Sequence, residues 1–95
     1  MRMEFRRMTG ALISDRPWPA NDRSIFELTA EAKEALSSFY EWDAHSFRPK
    51  TESAQNAPEE VWIVGNDSEI ILKYSLSRLA AETGRSLSRS ANAPL

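Results

Sequence analysis

Ninety-five residues allow one small domain at most, and folding at this length removes only about 60–65% of the surface of the unfolded chain. Apolar residues make up 41% and there is no cysteine, so neither a disulfide nor a thiolate metal site can supplement a thin core. The net charge of −2 conceals an asymmetry: residues 1–26 set five arginines against Glu4, Asp15 and Asp22, whereas residues 27–83 set eleven acids against five bases, which argues against the middle of the chain as a phosphate-binding surface.

Residues 1–16 read as a ragged amphipathic arm, with Met3, Phe5, Met8, Leu12 and Ile13 apolar and Gly10 interrupting. The opening MRMEFRRM is charged and is followed by no apolar h-region, so no secretory signal is expected. No run of about 20 apolar residues exists, so no membrane span is expected. With no cysteine in the chain, the expected setting is reducing and cytoplasmic.

Arg16–Ser24 reads as a linker, because Pro17 and Pro19 lock two φ angles and remove two donors. Residues 1–24 together are thus an arm and a Pro-rich linker. Trp18, between the prolines, is a candidate contact residue: it either enters a groove on a neighbour or packs back on its own chain. Ile25–Leu28 is a short apolar approach. Thr29 reads as an N-cap for a helix over 30–43 that buries Ala32, Ala35, Leu36, Phe39 and Tyr40, with Trp42 at its margin.

His45 is the sole histidine and has no cysteine or second histidine with which to form a zinc site. Residues 46–57 are polar and read as a mobile loop. The next segment, 58–64, carries conflicting signals. Pro58 suits the first position of a helix, while Val61-Trp62-Ile63-Val64 suits a strand. We read it as a short helix or turn that tucks Trp62, a second candidate contact residue, against a longer helix.

The strongest periodicity lies in residues 66–84, NDSEIILKYSLSRLAAETG. Asn66 and Glu69 have the spacing of a capping box, Leu72, Leu76, Leu79 and Ala80 recur at helical intervals, and Gly84 supplies a stop. The expectation is a helix over this whole stretch. Arg78 on its outer surface is a third candidate contact, toward a phosphate or a carboxylate. Residues 85–95 are small and polar and are expected to be disordered.

The resulting expectation is a mainly α chain: an antiparallel helix pair over residues 25–84 with a short third element and loosely packed or disordered ends. Motifs for catalysis are missing. There is no GxxxxGK[ST], no HExxH and no GxSxG, and the acidic pairs stand where helix N-termini already account for them. No catalytic, cofactor-binding or metal-binding residue is nominated, and no enzyme is expected.

LTAEAKEALSSFYEW, residues 28–42, resembles the LSxEAxxxxxxFY segment that follows the ATPase core in phage- and plasmid-borne helicase/primase-like ATPases of unknown function. It resembles more weakly the segment that opens the helical lid of MCM replicative helicases. Residues 62–82 are similar to the helix that packs on it in the first group, through Glu69, Leu72 and Lys73. The resemblance covers about residues 25–83 and lacks both Walker segments and an arginine finger, so ATP hydrolysis is not carried over. It implies a detached C-terminal lid acting by packing against protein, either a second copy or an ATPase domain, with Arg78 as the lid contact. Two rival expectations stand beside it: a small DNA-binding or regulatory protein reading with the 66–84 helix, and a gene fragment with no function of its own. The acidic outer face ranks nucleic acid second as a partner.

Overall fold

The computed structural model describes residues 1–19, 23–50 and 56–88. At the start of the chain, RMEFR alternates in character with the two-residue period of a strand. Met3 and Phe5 are fully buried on one side, and Arg2, Glu4 and Arg6 project from the other. This strand, β1 (Arg2–Arg6), pairs antiparallel with β2 (Leu12–Pro17) across a turn in which Gly10 takes φ +92°, a backbone region that favours glycine. The Trp18 N–H donates to the Met1 carbonyl at 3.0 Å, so the pairing turns the nitrogen of Pro17 away from β1. There its missing N–H costs no ladder bond and blunts the sheet edge.

β5 (Glu60–Val64) lies on the other side of β1, and β6 (Ile70–Ser75) lies beyond it. They complete a four-stranded antiparallel sheet in the order β2-β1-β5-β6. α1 (Ile25–Ser37) covers one face and buries Leu28, Ala32 and Leu36, three residues at four-residue spacing, against Met3, Phe5, Val61, Ile63 and Tyr74. α2 (Leu76–Thr83) closes the same core with Leu76 and Leu79. A second, mixed sheet is built from β3 (Tyr40–Trp42), β4 (Ser46–Pro49) and β7 (Ser86–Leu87), with β7 parallel to β4. Phe47 is its buried residue, stacked on Trp42 at 4.6 Å between centroids and meeting Tyr40 edge-on at 5.4 Å.

This architecture overturns the mainly α expectation: among the described residues 39% are strand and 26% helix. The largest correction concerns residues 66–84. Asn66–Ser68 cap no helix but turn a hairpin. The Gly65 N–H donates to the Glu69 carbonyl at 2.7 Å, the Asp67 carboxylate accepts from the Glu69 N–H, and Ser68 takes φ +66°. Ile70–Tyr74 then extends along β5, where Tyr74 is buried opposite Val61. The N-cap is Ser75, whose Oγ accepts from the Arg78 N–H at 3.2 Å. Only Leu76, Leu79 and Ala80 of the expected stripe are therefore helical, and Gly84 ends the helix at φ +67° as anticipated.

Four further corrections follow, and strand pairing accounts for three of them. The expected arm over 1–16 is the β1–β2 hairpin. Residues 60–64 are the strand β5, not a helix or turn. The first helix begins at Ser24 rather than Thr29 and ends near Ser38, after which Tyr40–Trp42 joins the second sheet. Ser37 and Ser38 spend their hydroxyls on the carbonyls of Lys33 and Ala35, a competition that weakens helix continuation. Ser46–Pro49 of the expected loop is β4, and Ser86–Leu87 of the expected tail is β7. Residues 51–55 of that loop and 89–95 of that tail lie outside the described residues.

Candidate functional site

The capping chemistry of α1 sets up the most exposed apolar surface of the molecule. Ser24 Oγ accepts from the Glu27 N–H at 3.1 Å, and the Glu27 carboxylate accepts from the Ser24 N–H at 3.2 Å, a reciprocal capping box. Starting the helix there makes Ile25 and Phe26 its first two residues. At 100° per residue, Phe26 stands about 200° away from Leu28, which is buried, so Phe26 must point outward. It is 85% exposed, and Ile25 is 57% exposed. Ile25, Phe26, Ala30 and Lys33 form one wall of an open groove of about 400 Å³, and Arg78 and Glu82 of α2 form the other.

Glu82 organises that second wall. Its carboxylate accepts from the Tyr74 hydroxyl at 2.6 Å and from Arg78 Nε at 2.9 Å, and Lys33 Nζ stands 3.4 Å away. The Tyr74 hydrogen bond first, then that from Arg78, bring the Glu82 carboxyl down to about 2. Burial pushes the Tyr74 phenol up, and its bond to Glu82 pushes in the same direction. Tyr74 therefore remains a neutral donor and Glu82 an anion, and neither is poised to exchange a proton near neutrality. The Arg78 guanidinium also lies 5.0 Å from the Tyr74 ring centroid. Two cations surround a single carboxylate here, so the groove carries a small positive excess.

The opposite sheet face holds a different cluster. Glu4 is 3% exposed, gripped by Arg2 Nε at 2.7 Å and by Arg6 through Nε at 2.9 Å and Nη2 at 2.6 Å, while Arg6 Nη1 donates to the Gly10 carbonyl. Burial pushes its carboxyl up, but the hydrogen bonds from Arg6 and then Arg2 prevail and hold it below the usual carboxylate range. Trp62 lies beside this cluster, with Arg6 at 4.1 Å and Lys73 at 4.2 Å from its ring centroid and its indole N–H donating to Glu60 at 2.8 Å. Every group in the cluster has a partner within it, and the arrangement pins β1, β5 and β6 together.

The three residues nominated from the sequence are not brought together. Trp18 packs against the core cluster and donates its indole N–H to Glu31 at 2.6 Å, so it folds back on its own chain. Trp62 belongs to the open sheet face and Arg78 to the groove on the helical side. Phe26, which the sequence reading passed over as part of an apolar approach, lines the groove instead. The available signal was its place off the Leu28, Ala32, Leu36 stripe, which becomes visible only once the helix is started at Ser24.

His45 is exposed, in the turn where the Asp43 carboxylate accepts from the N–H groups of His45 and Ser46. Those two bonds hold the Asp43 carboxyl below its ordinary value. Among the described residues, no group of three or more His, Asp or Glu side chains is placed to hold a metal ion. Among the same residues, no helix is long and apolar enough to cross a membrane.

The β-rich fold corrects the expectation of a helical module: residues 66–84, expected as one helix, are a turn, the strand β6 and the two helical turns of α2. Comparison with family models, with curated proteins and with solved structures gave no match, and nothing in them supports a helicase, phage or plasmid origin.

Proposed function

We propose that the chain is a non-catalytic protein-binding module whose contact surface is the groove between α1 and α2. The observation that carries this reading is Phe26, a ring left 85% exposed beside Ile25 and more exposed than the other large apolar side chains at the surface, Met8, Leu12 and Ile70. Aromatic side chains projecting beside an apolar groove are the usual anchors of protein interfaces. Further support comes from the dispersal of the reactive groups. Trp18, Trp62 and Arg78 each bond to a different carboxylate, and Glu4 and Glu82 are saturated by donors. The partner is a protein, either a second copy or another chain, in a cytoplasmic setting that suits a sequence without cysteine.

A photo-crosslinking residue introduced at position 26, with a control at Ser14 on the exposed strand β2, tests this in extract of the source cell. Protein adducts are expected from position 26 and not from position 14. Equal adduct formation at both positions, or adducts to nucleic acid alone, would count against the reading.

A further inference from the structure

We propose that the groove receives the α1 helix of a second copy of this chain, packed antiparallel about a two-fold axis that passes between Thr29 and Ala30. The inference rests on the protein-binding reading above and names its partner. Phe26, Thr29, Ala30 and Lys33 stand at i, i+3, i+4 and i+7 and so form one stripe on the outer side of α1. The stripe is complementary to itself. At one end is an aromatic knob, Phe26, and seven residues along, about 10 Å, is a cationic socket of Lys33 with Arg78 of α2 beside it.

Reversing a second stripe about its midpoint sets Phe26 of each copy at the level of Lys33 in the other. The electron-rich ring face then meets the surplus positive charge around Glu82. Ala30 and Thr29 are the small residues at the crossing point, so the helix axes can approach to about 8 Å there. A foreign acidic peptide would also meet the cations, but it would leave Phe26 of this chain uncovered. A second copy covers both ends of the stripe with the same contact, as an isologous interface requires.

The sheet edges compete poorly for this role. Pro17 blunts β2, and Lys73, in the middle of β6, is the kind of charged residue that discourages edge pairing. A contact made by one helix face and one groove is small, so a weak dimer is expected, with dissociation in the micromolar range or above.

Sedimentation of the full chain from about 1 μM to about 1 mM tests the proposal. A monomer–dimer equilibrium is expected. Phe26→Ser should weaken it at least tenfold and, at concentrations low enough for the parent to be monomeric, leave the thermal midpoint unchanged because the ring contributes nothing to the core, which separates loss of contact from loss of fold. The absence of native cysteine allows a second, positional readout: Ala30→Cys should form a disulfide-linked dimer on mild oxidation, whereas Ser14→Cys should not. A chain that stays monomeric to the highest concentration, or a dimer indifferent to Phe26→Ser, overturns the proposal. A monomer that still crosslinks to a different protein from position 26 also overturns it, while leaving the protein-binding reading intact.

Discussion

Glu82 shows how much one exposed-looking carboxylate can organise. Its side chain is 35% exposed, yet Tyr74, Arg78 and Lys33 all direct donors at it, tying α2 to β6 and to α1. Its carboxyl falls to about 2 from an ordinary 4.5, so the unfolded chain binds the proton more readily than the folded one. The stabilisation is therefore fully present above about pH 4.5 and is lost as pH falls toward 2. Glu82→Gln should flatten the acid limb of a stability-versus-pH curve between those values, read as the urea midpoint at successive pH. Glu4 and Asp43, whose carboxyls are also lowered, should keep part of the limb in the variant. A limb unchanged in Glu82→Gln would place the acid sensitivity at those two residues instead.

At the scale of elements, the capping chemistry decides what the groove contains. A helix started at Thr29 would leave Ile25 and Phe26 in a connecting segment; started at Ser24, it carries them on its first turn. Ser24→Ala removes one half of the capping box and should cost about 1 kcal/mol. Thr29→Ala, in contrast, removes only a hydroxyl bonded to the Ile25 carbonyl within the helix and should change stability by less than about 0.5 kcal/mol. Equilibrium urea unfolding of the two variants distinguishes the starts, and a larger loss from Thr29→Ala would contradict the structure. The β5–β6 hairpin carries a related lesson. Its turn residues Asn66, Asp67 and Ser68 are the same types that cap helices, since a short oxygen-bearing side chain accepts from a nearby free N–H in either setting.

For the molecule as a whole, stability depends on the apolar layer that α1 and α2 form with the four-stranded sheet. Leu36 is fully buried at the centre of that layer. Leu36→Ala should cost about 2–5 kcal/mol through lost transfer energy and the cavity left behind. Domains of this kind hold only about 5–15 kcal/mol in total, so the variant should melt far below the parent in circular dichroism. A small loss there would mean that the second sheet, with Phe47 and Trp42, contributes more of the core than the burial pattern indicates.

Several features were already determined by local sequence. The existence of α1 followed from the spacing of Ala32 and Leu36, and the stop at Gly84 from its freedom to adopt φ +67°. The lack of a thiol-based site followed from composition. The alternation of Met3 and Phe5 with Arg2, Glu4 and Arg6 was also present in the letters, but five residues of alternation are easily taken for part of a longer amphipathic run. What the letters could not decide was the state of Ile70–Tyr74 and Val61–Val64. Both segments mix β-branched or aromatic residues with helix-compatible spacing, and their choice of strand rests on hydrogen bonds to each other and to β1, some sixty residues away. The groove was hidden for the same reason. A helix face declares itself exposed only when the opposite face has found its sheet, and that sheet is assembled from strands at both ends of the chain.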